Sequence, residues 1–285
     1  MKQHNPARDI RQSDRFASFM EGIGWKTVVF NSRHVYLRKF PLIGSFAKCP
    51  RPDSPLLLTG LNDFLKKNRI YRFKISPHLS VNSVFYKKEK KKLQTSDFRI
   101  NTDPYNPTTT IIVDLTRSED AIFKSFSEAK RRAVRRALKN EIKVELSEDL
   151  KAFIAVRKSQ FYPMGFLIAG EMKKLWQNFY PEKADLLLAK TREGKTVAGI
   201  LLLYHNSLAY YWYAAALPLG KKLFAPSLLV WEAVKRAKKR GAKVLDFEGV
   251  YDGRFPVASE SWRGFTKFKE GFSDKKVVLM ENFSR

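Results

Sequence analysis

Three apolar-rich runs, at 185–190, 197–204 and 208–215, follow one another with only short turn-forming segments, Glu193-Gly194 and Asn206-Ser207, between them. Apolar runs that short, bounded by such dipeptides, dictate antiparallel strands joined by hairpins. A helix is expected next, from Pro226 to Arg240, because proline is tolerated in a first turn whose N–H groups have no helical partner. Gly241 closes it, since glycine accepts the left-handed conformation of a C-cap. A strand at 243–247 follows. Meander, helix and strand in that order constrain the second half of the chain to a mixed α/β domain.

The first third reads as short strands and tight turns. Strands are expected at 25–30, 35–40 and 71–75, with a turn at Asn31-Ser32-Arg33, a helix over 57–67 and a stop at Pro77. The lysine-rich run 86–92 reads as a solvated loop, with a polyanion contact as the second reading. Pro104-Tyr105-Asn106-Pro107 reads as a linker before a strand at 109–115, and the domain boundary is placed there. A long helix follows: Thr116 with Glu119 makes a capping box, and Ile122, Phe126, Ala129, Ala133 and Ala137 recur at helical spacing. Its outer side carries Arg131, Arg132, Arg135, Arg136 and Lys139. Like charges this dense repel by a few tenths of a kcal/mol per neighbouring pair, so the face is either a phosphate site or a merely solvated one. Segments 153–158 and 171–179 also read as helical.

The charge balance supports a polyanionic partner, with 54 Lys and Arg against 28 Asp and Glu, a net charge of +26. RNA, DNA and an acidic membrane face all satisfy it. The single cysteine, Cys49, has no intrachain disulfide partner, and His4, His34, His78 and His205 show no metal-ligand spacing. The first fifteen residues carry charges throughout, unlike a secretion signal. The longest apolar region, 197–219, is interrupted by His205-Asn206-Ser207 and falls short of the roughly 18 residues that a membrane span needs.

Meander, helix, strand is the order of a GNAT-type acyltransferase domain. An acetyl-CoA enzyme of that kind needs a glycine-rich loop before the helix to hold the pyrophosphate on backbone N–H groups. Here the connection 217–225 has one glycine, Gly220, and Pro218, so acyl-CoA is disfavoured. Several segments carry a more specific signal: Thr110-Ile111-Ile112-Val113-Asp114-Leu115 before the basic helix, the stretch from Tyr213 to Trp231 with Ala225-Pro226, and Gly264-Phe265-Thr266-Lys267-Phe268-Lys269-Glu270-Gly271-Phe272. Together they resemble the FemABX family, the tRNA-dependent aminoacyltransferases that build peptidoglycan cross-bridges. The resemblance places Phe268 and Lys269 at the transfer site, with Lys269 stabilising the oxyanion formed when an amine attacks an aminoacyl ester. Tyr213 matches a tyrosine of the family's central strand. Asp246 and Glu248 alternate with Leu245 and Phe247, so both carboxylates point to one side, where they would accept the amine's proton or pair with a local cation. Tyr211, Trp212 and Tyr213 read as a strand with its odd members on one face. On the acceptor side the family's pattern is altered: Val29, Ser76 and Leu167 stand where it has a lysine, an aspartate and an arginine. Lys39, Lys221 and Lys222 are the candidates to replace the lost phosphate contacts.

The resemblance implies two tandem GNAT-like domains in a mixed α/β chain, the first reduced and without a long coiled-coil arm. The expected division is an acceptor-side domain at 1–115, completed by about 278–285, and a transfer domain at 116–277. The expected function is aminoacyl transfer from charged tRNA to an amine of a peptidoglycan precursor, lipid-linked or UDP-linked, with tRNA phosphates on Arg131, Arg132, Arg135, Arg136 and Lys139. The resemblance implies no metal and no organic cofactor, no DNA partner, and a cytoplasmic place with peripheral contact to an anionic membrane. Two other readings stay open: a GNAT-like N-acyltransferase with another donor and acceptor, and a non-catalytic RNA- or membrane-binding relative.

Overall fold

The computed structural model describes residues 8–159 and 166–285, without the side chains of Phe166 and Leu167. His4 and the side chain of Leu167 therefore lie outside the described residues. In chain order the first elements are α1 (Asp14–Gly22), β1 (Lys26–Phe30), β2 (Arg33–Phe40), β3 (Gly44–Pro50), α2 (Leu61–Lys67), β4 (Ile70–Ser76), α3 (Tyr86–Thr95), β5 (Arg99–Ile100) and β6 (Thr109–Asp114). They continue with α4 (Glu119–Ser125), α5 (Glu128–Lys139), β7 (Lys143–Ser147), α6 (Leu150–Lys158), α7 (Phe166–Phe179), β8 (Ala184–Lys190), β9 (Thr196–His205) and β10 (Leu208–Ala216). The last are α8 (Pro218–Lys222), α9 (Ala225–Lys239), β11 (Val244–Gly249), α10 (Pro256–Ser259), α11 (Arg263–Glu270), β12 (Lys276–Val278) and β13 (Phe283–Ser284). No helix among the described residues is long and apolar enough to cross a membrane.

The described residues pack into two compact units, one within Met1–Thr110, Gly249–Arg263 and Val277–Arg285, the other within Ile111–Glu248 and Gly264–Lys276. Segment 249–263, which the sequence reading assigns to the second domain, therefore packs with the first unit. The reason is a buried carboxylate: Asp252 accepts from the hydroxyls of Thr108 (2.5 Å) and Thr109 (2.8 Å) and pairs with Arg254 at 2.7 Å. Arg254 in turn donates to the Leu279 carbonyl at 2.9 Å. These bonds hold the Asp252 carboxyl well below the usual carboxylate range against the opposing effect of burial.

The first unit is built on a six-stranded sheet in the order β1-β2-β3-β4-β13-β5. Asn31 and Ser32 both take positive φ in the two-residue turn between β1 and β2, the geometry that matches strand twist in a hairpin. β3 and β4 run parallel, so the chain must cross over between them, and α2 lies in that crossover. The end of the chain returns to this sheet, with Phe283 opposite both Ile75 and Ile100 and fully buried among Val35, Phe73, Leu93 and Phe98. The run 86–92, expected as a loop, forms the start of α3. Lysine is a good helix former, and Glu89 and Leu93, four apart, bury one face while the lysines keep the other in water. The buried Glu89 carboxylate accepts from the Leu56 N–H and pairs with Lys92 at 3.1 Å.

The second unit contains a seven-stranded sheet in the order β12-β6-β11-β10-β9-β8-β7. β7 to β10 are antiparallel in succession and β10 and β11 are parallel, as meander, helix and strand require. β9 is buried along nearly its whole length, which is the signature of a strand covered on both faces. Helix α6 approaches it so closely that a Cβ on Gly199 would lie 2.6 Å from the Phe153 ring.

The single long helix expected after residue 116 is two helices. Phe126 is extended (φ −64°, ψ 146°) and almost fully buried, edge-on to Trp231 and Phe272 with centroids 5.7 and 5.1 Å away. Ser118 caps α4 and Ser127 caps α5, each hydroxyl accepting from the N–H three residues on. Thr116 makes no cap and instead donates its hydroxyl to Asp114 at 2.6 Å. Burial of Phe126 thus outweighs the continuation of one helical turn.

Candidate functional site

Helix α11 presents a strongly amphipathic face. Phe268 and Lys269 turn inward on it, and Phe272 is fully buried just past its end. Lys269 is only 8% exposed, an expensive place for an ammonium. Burial pushes its pKa down to about 8, while the negative charges of Glu248 and Asp246 hold it up. Both carboxylates sit half-buried near the end of β11, at alternate positions as the strand period demands. The strand end is bent: Asp246 accepts from the Glu248 N–H at 2.7 Å, and Glu248 takes a left-handed φ of 59°. A non-glycine residue there carries about 1–3 kcal/mol of strain, held in place beside the buried lysine.

The Lys269 ammonium lies 4.9 Å from the Phe265 ring centroid and 5.9 Å from that of Tyr211. Those two rings line a cavity of about 680 Å³ whose walls are otherwise small or apolar, including Ala129, Ala133, Ala214, Ala215 and Ala216. Lys130 and Lys221 bring cations to it. The parallel register of β10 with β11 covers only Leu208–Tyr210 against Val244–Asp246, and the cavity is lined by the part of β10 beyond it.

A bulge at Trp212 decides which tyrosine faces this space. Tyr211 lies opposite Leu202 and Tyr213 opposite Leu201, neighbouring positions on β9, so the expected alternation of odd residues fails. Tyr211 lines the cavity. Tyr213 does not; its hydroxyl donates to Glu171 at 2.8 Å and its ring stacks under the Arg157 guanidinium, 4.2 Å away.

Lys130 is the residue that the sequence pattern passed over. It precedes Val134 and Ala137 by four and seven positions, so it points with them to the inner face of α5. A lysine on the apolar stripe of a basic helix was the available signal. Its ammonium lies 4.0 Å from the Phe268 ring centroid and 5.2 Å from that of Phe272, and burial lowers its pKa. Gly271 makes room for it, because a Cβ there would lie 2.5 Å from the Lys130 Cε.

The outer cations of α5 divide. Arg131 donates to the carbonyls of Lys124 (2.8 Å) and Phe126 (2.6 Å), which tie down the break between α4 and α5. Arg132 pairs with Glu128 at 3.2 Å in water. Arg135, Arg136 and Lys139 are exposed, with the Arg136 guanidinium 5.5 Å from the ring of Phe224, a cavity residue. Lys222 is exposed on α8 beside Lys221. Gly220 is needed for packing, since a Cβ on it would lie 2.5 Å from the Val197 carbonyl oxygen. In the first unit, Lys39 and Val29 are exposed on strands, and Ser76 is fully buried, accepting from the Asn106 amide at 2.6 Å.

Residues 171–283 match the FemAB family model. The fold is similar to the crystal structure of FemX (TM-score 0.81, 19% identity, covering 99% of this chain and 93% of that one). It is also similar to the C-terminal domain of a putative lysylphosphatidylglycerol synthetase from Agrobacterium fabrum (0.61, 11%, 96% and 88%). A tandem GNAT protein from the clavulanic acid biosynthesis pathway matches at 0.53, with 10% identity over 91% and 81%. No curated protein sequence matches significantly. Residues 171–283 thus match the FemAB family model on a mixed α/β chain with two sheets and a FemX-like tandem GNAT fold.

Proposed function

We propose that this chain is an aminoacyltransferase that moves an amino acid from charged tRNA to an amine of a peptidoglycan precursor, lipid-linked or nucleotide-linked. The observation that carries the reading is Lys269: a buried ammonium, flanked by two cavity rings, with two carboxylates acting on it. The amine nitrogen attacks the ester carbonyl, a C–N bond forms, and the charge on the carbonyl oxygen is met by the Lys269 ammonium. One preorganised donor at that oxygen is worth about 10²–10³ in rate. Glu248 or Asp246 takes the proton that the amine gives up and passes it to the tRNA ribose oxygen as the ester C–O bond breaks, so that the ribose leaves as its hydroxyl. Phe268 holds Lys130 beside the cavity, and Lys130 and Lys221 meet phosphates at the charged end of the tRNA. Arg135, Arg136 and Lys139 extend that contact along α5, with Lys222 beside Lys221. In this reading the first domain takes the acceptor, and the enzyme works at the inner face of the plasma membrane.

The test is incubation with a mixture of charged tRNAs and lipid-linked or nucleotide-linked precursor, followed by mass spectrometry of the acceptor. A mass increase of one or more aminoacyl residues that depends on the tRNA supports the assignment. Tight binding of an acyl-CoA by calorimetry, with no tRNA-dependent product, overturns it in favour of a different acyl donor.

A further inference from the structure

The turn between β2 and β3 exposes what a folded chain ordinarily hides. Leu42 is fully exposed (107%), Ile43 is 66% exposed and Phe40 40%, with Tyr71 of β4 at 50%. Pro41 accepts a hydrogen bond from the Ile43 N–H at 2.8 Å across Leu42, whose φ is +67°. A positive φ at the centre of such a three-residue turn is the rare, strained form, and leucine adopts it less readily than glycine or asparagine. Nothing within the unit repays that strain, because the leucine side chain buries no surface there. The tip is nevertheless rigidly mounted: the Ser45 N–H donates to the Arg69 carbonyl at 2.7 Å, and a Cβ on Gly44 would lie 2.5 Å from the same oxygen.

Behind the tip is a basin of about 1080 Å³, open to solvent. Its lining among the described residues holds Lys26, Lys39, Lys67 and Arg69 and no carboxylate. An exposed apolar tip ringed by cations is complementary to one partner above others, an anionic bilayer, whose interior takes the apolar side chains while its headgroups meet the lysines and arginine.

We propose that the β2–β3 tip, with Leu42 and Ile43 at its apex and Lys26, Lys39, Lys67 and Arg69 around it, docks the first unit onto an anionic lipid surface. The two kinds of contact act together, since neither a few apolar side chains nor a few cations alone hold a protein firmly to a membrane. The proposal does not depend on which reaction the second unit performs.

The experiment is cosedimentation of the full chain with vesicles of phosphatidylcholine alone or mixed with phosphatidylglycerol. Binding is expected to the mixed vesicles, to weaken with salt, and to fall at least about tenfold in a Leu42→Ser/Ile43→Ser variant that retains its circular dichroism and melting profile. A Lys67→Glu/Arg69→Glu variant should lose binding to the mixed vesicles while leaving the weak binding to phosphatidylcholine unchanged. Equal binding of the Leu42→Ser/Ile43→Ser variant and the unaltered chain overturns the proposal. So does a concentration-dependent dimer in sedimentation that the same variant abolishes, since the occupant is then a second copy. Activity toward a nucleotide-linked acceptor should survive both variants, which separates failure of membrane docking from failure of the catalytic assignment.

Discussion

The cavity of the second unit and the basin of the first are both basic, yet they keep their cations in opposite surroundings. Lys269 is withdrawn from water behind Tyr211 and Phe265, and Lys130 is half-buried against phenylalanines. Lys26, Lys39, Lys67 and Arg69 stand at the surface. Charge in water is screened within about a Debye length and gives attraction with little selectivity. Charge held in a low-dielectric wall interacts several times more strongly and shifts its own proton equilibrium. In the proposed roles one residue type serves attachment in one place and chemistry in the other, and burial is what separates them.

Removing Lys269 should break the comparison most severely. Lys269→Met is expected to lower transfer by about 10²–10³ with tRNA affinity little changed, measured by single-turnover kinetics and filter binding. The same variant should be more stable at pH 7, by about 1–3 kcal/mol in denaturant titration, because an ammonium no longer has to be buried. The pH dependence has a definite sign. The folded pKa of about 8 lies below the ordinary 10.5, so the unfolded chain binds more protons between those values and stability rises with pH across that window. If the ammonium is the working form, transfer declines as pH rises through about 8. A rate that climbs there in the unaltered chain and not in Lys269→Met would make Lys269 the base.

Gly271→Ala is a smaller intrusion on the same wall. Its methyl group would displace Lys130, so we expect a loss of about 1–3 kcal/mol in urea unfolding and weaker tRNA binding. Unchanged stability would mean that the Lys130 stem moves aside freely.

Two arginines on one helix sharpen the contrast further. Arg131→Ala should lose about 1–3 kcal/mol of stability, because it leaves the Lys124 and Phe126 carbonyls without their charged donor. Arg135→Ala should change stability by less than about 0.5 kcal/mol and instead reduce the salt dependence of tRNA binding by about one unit of slope. Matching behaviour of the two variants would remove the distinction between a structural and a phosphate-binding cation.

Much of the fold is written in local pattern. The runs 185–190, 197–204 and 208–215 correspond to β8, β9 and β10, and Pro226 and Gly241 bracket α9, because hairpin turns, proline and glycine act over only a few residues. β3 and β7 are not legible in this way. β3 contains Lys48 and ends in Cys49-Pro50, and β7 is mostly exposed, so neither shows an apolar alternation strong enough to read. The lysine-rich α3 was hidden in the same way, since its identity as a helix rests on two buried residues, Glu89 and Leu93. Part of the candidate site is legible: the segment 264–272 stands out by its resemblance to the FemABX family, and the pair Asp246 and Glu248 by their alternation. The direction of Tyr211 is not, because a bulge at Trp212 sets it, and Lys130 is signalled only by its place on the apolar stripe of α5.

The sequence by itself determined the order of meander, helix and strand in the second half, the segment that matches the FemAB model and the excess of positive charge, all of which depend on neighbours in the chain or on simple counting. Tertiary structure alone decided which cations are wet and which are buried, where the long basic helix breaks, which tyrosine faces the cavity, and that segment 249–263 packs with the first unit. Those outcomes depend on desolvation and close packing between residues far apart in the chain, such as Phe126 against Phe272 and Asp252 against Thr108, and no local pattern encodes them.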